Sequence, residues 1–189
     1  MNPVLTTLTS RVSSPRLQEP APSPEQLHSL LAAAARAADH GLLKPYRFLV
    51  VSGEPALTAL GQLYRQVAER EQPQLTEADL ARLQTLPQRA PMVVVAIACC
   101  QQHPKVPVLE QQLTAAAATQ NLITAAYALN LGAYWRTGAM AYSQGVQQGL
   151  GLATNESIIG YVYLGTPAAP LRQLREQDCM VDVKAWPKA

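Results

Sequence analysis

The run PMVVVAIACC, at residues 91–100, is continuously apolar over the length of one strand. A half-buried strand alternates apolar and polar residues, so an unbroken run predicts a strand that is buried on both faces. We therefore expect it at the centre of a sheet. Three other segments have the β-branched and aromatic content of strands: YRFLVVS at 46–52, AYWRTG at 133–138 and SIIGYVYLGTP at 157–167.

Helical patterns outnumber the strands. The longest covers Val108 to Asn130 and has alanine on several faces, which favours burial against more than one neighbour. Ser23, Pro24 and Gln26 form a capping-box pattern, which predicts a helix from Pro24 to about Asp39. Further helices are predicted near residues 3–13, 55–71, 76–86 and 142–151. We expect a single domain over residues 1–189, with an extended, proline-rich connector at 15–24 and an irregular tail from about 168.

Composition argues against several classes of partner. Lys and Arg number 15 against 13 Asp and Glu, and no dense basic run is interleaved with aromatic residues, so nucleic acid is not an expected partner. Three cysteines cannot form a disulfide framework and the first ten residues lack a secretory pattern, which favours the cytoplasm. The apolar segment 106–131 is interrupted by Glu110 and several amide side chains, so we expect a buried helix and no membrane span.

Common catalytic motifs are absent from the sequence. It has no glycine-rich dinucleotide or triphosphate loop, no GxSxG, and no HExxH or CxxC. The histidines lie far apart, so we expect no metal site. Cys99 and Cys100 lie in the apolar strand, where cysteine is usually a small inert hydrophobe. Catalysis by a side-chain nucleophile therefore has no support.

Three polar clusters remain, each at the end of a predicted helix or strand, where binding residues are commonly displayed. The first cluster spans Ser10 to Arg16 and has two arginines and several hydroxyl groups, which could hold an anion such as phosphate. Its alternative interpretation is a cation at a helix C-terminus, which the helix dipole favours without any ligand.

The second cluster lies between the capped helix and the strand at 46–52. Arg36 and His40 are four residues apart and are predicted to share one face of that helix. Lys44 precedes a proline, so the segment from Lys44 to Tyr46 is expected to be extended. The alternative is a solvated helix end at which Arg36 pairs with Asp39.

The third cluster, Tyr134 to Gly138, combines aromatic residues with a cation after the longest helix. Alternation along a strand places Trp135 and Thr137 on one side, with Tyr134 and Arg136 on the other. The alternative is a core tryptophan beside a surface arginine.

Three stretches together resemble the nitroreductase family of FMN-dependent oxidoreductases, and its small YdjA-like branch in particular. They are ADHxxxxPYxFxVV at 38–51, WRTGAM at 135–140 and GYVYLGTP at 160–167. The resemblance implies an α+β fold with a mostly antiparallel sheet of four or five strands flanked by helices. It also implies a homodimer with the long helix at its interface, FMN sites shared between the subunits, and NADPH or NADH as co-substrate.

The same resemblance implies an activity and a set of cofactor-binding residues. The activity is ping-pong transfer of hydride from NAD(P)H to a nitroaromatic, a quinone or a similar small oxidant, with the flavin carrying the hydride and no catalytic side chain. Arg11 and Ser13 match positions that hold the FMN phosphate and polar edge, and Arg36 and His40 match positions that contact the flavin from the partner subunit. The full implied set is Arg11, Val12, Ser13, Arg36, His40, Lys44, Tyr134, Trp135, Arg136 and Thr137.

Three positions depart from the family pattern. Val12 stands where the pattern has a second arginine, although Arg16 is nearby; Lys44 replaces a glutamine and Tyr46 a tryptophan. The loss at position 12 could weaken FMN retention, whereas a lysine near the pyrimidine edge could stabilise a reduced, anionic flavin. Two alternatives to an oxidoreductase therefore stay open: a non-catalytic flavin or small-ligand binding protein, and a helical dimeric scaffold without a cofactor.

Overall fold

The computed structural model describes residues 2–175 and 181–186. Within them, five strands form the sheet: β1 (Leu17–Gln18), β2 (Tyr46–Ser52), β3 (Met92–Cys99), β4 (Gly132–Arg136) and β5 (Glu156–Pro167). Seven α-helices accompany it: α1 (Pro3–Ser10), α2 (Pro24–Ala34), α3 (Glu54–Glu71), α4 (Glu77–Thr85), α5 (Val108–Ala128), α6 (Ala139–Tyr142) and α7 (Gln144–Gly149). Short 3-10 turns cover His40–Leu42 and Leu86–Arg89.

Strand β3 lies at the centre of the sheet, as predicted. It pairs antiparallel with β2 on one side and with β5 on the other, and its residues 93–98 are almost completely buried. The far edge of β5 is shared by two strands, because β4 pairs with residues 161–165 and β1 with residues 166–167. Every pairing is antiparallel, which confirms the expected α+β class with its antiparallel sheet.

Helices cover both faces of the sheet. Successive residues of β3 point to opposite faces, so Val93 and Val95 join one core cluster and Val94 the other. Helix α3 packs on the first face through Leu57, Leu60 and Tyr64. Helices α2 and α5 pack on the second face, where Leu30, Ala118 and Leu122 have no solvent exposure. The predicted burial of the long helix is confirmed on this side.

The second polar cluster does not have the predicted backbone. Helix α2 ends at Ala34, because the N–H groups of Arg36 and Ala37 bond to carbonyls three residues earlier and close a tight turn. The chain then turns through Gly41 and Lys44, both at positive φ, and Asp39 Oδ2 accepts the Lys44 N–H at 2.6 Å. The predictions that Arg36 and His40 share a helix face and that Lys44 is extended are therefore wrong.

Smaller differences concern short segments. The capping boxes at Ser23 and Thr76 are present as predicted. The proline-rich connector contains the two-residue strand β1, and the four-residue helix α6 was not predicted. Residues 168–175 and 181–186 contain no helix or strand, and Cys179, whose reactivity the sequence left open, lies outside the described residues. Among the described helices, none has the length and apolar character needed to cross a membrane.

One ion pair joins the beginning of β2 to the beginning of β5. Arg47 donates Nε and Nη2 to the two carboxylate oxygens of Glu156 at 2.6 and 2.7 Å, and Glu156 also accepts the Ala153 N–H and the Cys99 thiol. The Arg47 hydrogen bonds lower the pKa of Glu156 from 4.5 to about 2. The Glu156 side chain is only 12% exposed, so its loss would leave the partly buried Arg47 guanidinium and Cys99 thiol without their acceptor.

Glu156→Gln is expected to lower the free energy of unfolding by about 1–2 kcal/mol at pH 7, a figure reduced for the partial exposure of Arg47. Because the pKa of Glu156 is lowered in the folded protein, this contribution is complete above about pH 5 and disappears as the pH falls towards 2. Urea unfolding from pH 7 to pH 3 measures it.

The matched control is Glu77→Gln. Glu77 also forms a two-point pair, with Arg65 at 2.7 and 2.9 Å, but its side chain is 74% exposed. Exposed pairs contribute little, so we expect a clearly smaller loss of stability for Glu77→Gln than for Glu156→Gln. Equal losses in the two variants would contradict the assignment of a structural role to the Arg47–Glu156 pair.

Candidate functional site

A cavity of about 460 Å³ opens at the end of β4 on the α3 side of the sheet. Three arginines, Arg82, Arg89 and Arg136, contribute to its lining, and we call it the arginine pocket. The remaining lining residues are aromatic, aliphatic or small: Tyr64, Leu83, Leu86, Tyr134, Trp135, Thr137, Gly138, Ala139, Met140, Tyr161 and Tyr163. The lining includes the four cofactor-binding residues predicted in the third cluster, Tyr134 to Thr137. Among the described residues, it includes no carboxylate.

Two tyrosine rings hold Arg136 in place. Its guanidinium carbon lies 4.5 Å from the centroid of the Tyr134 ring and 5.7 Å from that of Tyr163. These are cation–π distances, so the guanidinium is oriented without a carboxylate partner. The predicted alternation is borne out, because Tyr134 contacts the core on the α3 side of the sheet and Trp135 contacts the core on the α5 side.

Trp135 lies against a position where only glycine fits. A Cβ on Gly160, in β5, would overlap the indole nitrogen of Trp135. That nitrogen is buried and has no hydrogen-bond partner among the described residues. Trp135 thus presents an unused donor in the segment that the sequence assigned to a cofactor.

Sequence reasoning missed Arg82 and Arg89. Arg82 lies on α4 and Arg89 ends the 3-10 turn before β3, so neither is near Arg136 in the chain. Burial raises the pKa of Tyr163, and the charges of Arg136 and Arg89 act in the opposite direction, which shows that both cations are close to its ring. No local spacing pattern brings these residues together, so no motif could have identified them.

The first cluster lies at the beginning of β4. The Ser14 N–H donates to the carbonyl of Ala133 at 2.9 Å, which holds the Arg11–Ser14 segment against that strand. Arg11 is partly exposed and Ser13 exposed, whereas Val12 is 9% exposed. Val12 therefore offers little surface to a ligand. Strand β4 separates this cluster from Arg136 by roughly 10 Å at about 3.4 Å per residue.

The second cluster lies elsewhere, along α5. Arg36 lines an apolar groove with Leu8 of α1 and Asn121 of α5. His40 Nδ1 is 2.6 Å from Glu110 Oε2 in the first turn of α5, and both side chains are well exposed. Within one chain, neither Arg36 nor His40 reaches the arginine pocket. The chain therefore brings the first and third clusters together along β4 and keeps the second apart.

Apolar side chains are exposed near the second cluster. Leu109 and Leu113 lie one turn apart on α5 and are 65% and 59% exposed, and Leu5 and Leu8 on α1 are more than half exposed. Large exposed apolar side chains grouped on neighbouring helices are typical of a surface that contacts another protein.

Neither Cys99, the last residue of β3, nor Cys100, which follows it, offers a nucleophile. Burial raises the pKa of the Cys99 thiol to about 11, and burial likewise raises the pKa of Cys100. A thiol with such a pKa is protonated at neutral pH and unreactive. The described residues also contain no group of three or more side chains arranged to hold a metal ion.

Comparison with known proteins identifies the family. A sequence model described as "Nitroreductase family" matches residues 8–166. The chain belongs to the nitroreductase family. The curated protein named "Putative NAD(P)H nitroreductase YdjA", from Escherichia coli K12, is 36% identical over 162 residues, which cover 85% of this chain and 86% of that protein. A Haemophilus influenzae protein named "Putative NAD(P)H nitroreductase" is 35% identical over 178 residues, 94% of this chain and 93% of that one.

Solved structures share the nitroreductase fold. A nitroreductase-like family protein from Bacillus cereus superposes with a TM-score of 0.76 at 20% identity over 96% of both chains. A Desulfovibrio desulfuricans structure, titled as a nitroreductase in complex with FMN, gives 0.70 at 22% identity over 98% of this chain and 99% of that one. At these identities the likeness establishes the fold, with its central antiparallel sheet.

Proposed function

We propose that the protein is an FMN-dependent oxidoreductase that takes hydride from NAD(P)H and reduces a nitroaromatic, a quinone or a similar small oxidant. The observation that carries the proposal is the placement of Arg11–Ser13 and Trp135–Thr137 at the two ends of one short strand, in a chain of the nitroreductase family. Relatives carry NAD(P)H in their names, and structures of the same fold contain FMN.

The donors at β4 fit a flavin nucleotide. A phosphate is recognised by charge-assisted hydrogen bonds, which the Arg11 guanidinium and the Ser13 hydroxyl can supply from their exposed positions. A flat, polar ring system needs an apolar surface with a few donors, and the segment from Trp135 to Thr137 offers backbone groups and the unpaired indole N–H. We therefore assign the phosphate to Arg11 and Ser13 and the ring to residues 135–137.

Arg36, His40 and Lys44 reach the flavin from the partner subunit in this proposal. Arg36 lines a groove with Leu8, and His40 contacts Glu110 next to Leu109, so both lie beside the exposed leucines of α1 and α5, which we assign to a homodimer interface. Lys44 adopts a φ of 47°, a strained conformation for a residue with a side chain. Strain of this kind commonly accompanies functional positions, which supports a role for Lys44 in contact with the cofactor.

Bound FMN, held by Arg11, Ser13 and residues 135–137, would supply the hydride and electron transfer between nicotinamide and oxidant, in two separate half-reactions. The side chains of this protein hold and orient the bound molecules, and no general base or nucleophile is required of them. Free Cys99 and Cys100 suit the cytoplasm, where NAD(P)H is available.

The visible spectrum of the purified protein tests the proposal. After incubation with FMN and desalting, we expect retained yellow colour that bleaches on anaerobic addition of NADPH or NADH. Retained flavin that neither nucleotide reduces would favour the binding protein, an alternative that the changes at Val12 and Lys44 keep open. Absence of retained flavin would contradict the proposal.

A further inference from the structure

The arginine pocket contains more positive charge than the proposed cofactor contacts use. The FMN phosphate is assigned to Arg11 and Ser13, so Arg82 and Arg89 have no assigned ligand. Asp79 lies one turn before Arg82 on α4; hydrogen bonds with Thr76 lower the pKa of its carboxyl and the charge of Arg82 adds to this, but Asp79 does not line the pocket. Among the described residues, no carboxylate forms an ion pair with Arg89 or Arg136. Within residues 2–175 and 181–186, Arg89 and Arg136 therefore line the pocket without a protein counter-charge.

The walls of the pocket suit an aromatic molecule. The rings of Tyr134 and Tyr163 flank Arg136, and the cavity of about 460 Å³ is of the size that holds small ligands. Tyr64 also lies in the wall and is only 2% exposed. Its hydroxyl has no hydrogen-bond partner among the described residues. A buried hydroxyl without a partner is uncommon in folded proteins, and it offers a ligand one further polar contact.

We propose that the arginine pocket binds the anionic group of the oxidant, so that aromatic oxidants with a carboxylate are preferred over neutral ones. The proposal rests on the proposed function, because it names the substrate class of the same oxidoreductase. Guanidinium groups bind carboxylates in a two-point geometry, and an aromatic ring above the carboxylate would face Tyr134 and Tyr163. The 2′-phosphate of NADPH is a second anion that these arginines could bind. The experiment below distinguishes it from the carboxylate of the oxidant.

The test uses the FMN-loaded protein and a matched pair of oxidants, 4-nitrobenzoate and the neutral 4-nitrobenzamide. For Arg89→Gln and for Arg82→Gln we expect kcat/KM for 4-nitrobenzoate to fall about tenfold. In the same variants, kcat/KM for 4-nitrobenzamide should stay within about twofold of that of the unsubstituted protein, and the flavin content should be unchanged. The control is Arg70→Gln, which removes an exposed arginine outside the pocket. It should leave the ratio of the kcat/KM values for the two oxidants unchanged.

Three results would overturn the proposal. An equal fall for both oxidants, or none for either, would show that the charge of the oxidant is not recognised. Loss of flavin from Arg89→Gln would assign the pocket to the cofactor. A higher KM for NADPH with no change for NADH or 4-nitrobenzoate would assign it to the nicotinamide nucleotide.

Failure of the proposed function gives a different result, because the flavin then does not bleach with NADPH or NADH. In that case, calorimetric titration of the protein with 4-nitrobenzoate and 4-nitrobenzamide decides the inference without turnover. Binding of the carboxylate that Arg89→Gln weakens about tenfold supports an anion site, and absence of a difference between the two compounds overturns it.

Discussion

Arg11→Ala is expected to raise the dissociation constant for FMN by about ten- to hundredfold. A hydrogen bond from an arginine to a phosphate contributes about 1.5–3 kcal/mol, and every 1.4 kcal/mol is a factor of ten in affinity. Arg11 directly follows α1 and lies beside the beginning of β4, where no carboxylate among the described residues pairs with it. Quenching of FMN fluorescence on titration with apoprotein measures the dissociation constant. The control is Arg70→Ala, which removes the same charge elsewhere and should leave the dissociation constant unchanged.

Arg36→Ala adds a test of the shared site. If Arg11 of one subunit and Arg36 of the other contact the same flavin, each single variant loses affinity at both sites of the homodimer. A heterodimer of the two variants then has one site with both changes and one site with neither. Mixing the two weak proteins under conditions that exchange subunits should restore one tight site per dimer. Unchanged affinity in both single variants would contradict the residue assignments.

Leu113→Asp is expected to convert the proposed homodimer to a monomer that does not retain FMN. Leu113 and Leu109 are well exposed on the surface of one chain, so the substitution should leave the fold of that chain intact. In a dimer interface the same aspartate would be buried without a partner, at a cost of several kcal/mol. Light scattering gives the mass of the particle, and the visible spectrum of the same fraction gives its flavin content.

The control for this variant is Gln112→Asp. Position 112 is the preceding residue of the same helix, about 100° around it, and lines a cavity beside Asn155 on another side of α5. It introduces the same charge while leaving the leucine surface unchanged. A Leu113→Asp protein that stays dimeric and yellow would show that α5 does not form the interface.

The elements that could be predicted are those whose signals are local. The apolar run of β3 follows from its burial on both faces, and the capping box at Ser23 fixes the start of α2 through hydrogen bonds within four residues. The end of α2 could not be predicted in the same way. Alanine continues to favour helix past Ala34, but the chain must turn so that Asp39 and Lys44 can bond to each other before β2 begins. Tertiary structure overrides propensity there.

The same distinction between local and long-range signals applies to the candidate site. The clusters at Arg11 and at Trp135 are runs of consecutive residues, and their composition and order in the chain can be recognised from sequence. The arginine pocket combines residues from α4, from the turn before β3 and from β4, which the chain separates by 47 positions between Arg89 and Arg136. The Arg47–Glu156 pair spans 109 positions. Contacts of that range come from the topology of the sheet.

The shared edge of β5 fixes the dimensions of the binding surface. Gly132 of β4 is opposite Gly165, and Leu17 of β1 is opposite Pro167, so two distant parts of the chain are aligned by neighbouring residues of a single strand. The distance between the proposed phosphate-binding residues, Arg11 and Ser13, and the proposed ring-binding residues 135–137 is thus set by strand pairing and does not depend on the lengths of the intervening loops. Insertions in those loops could therefore alter what enters the site while the spacing of the cofactor contacts stays the same.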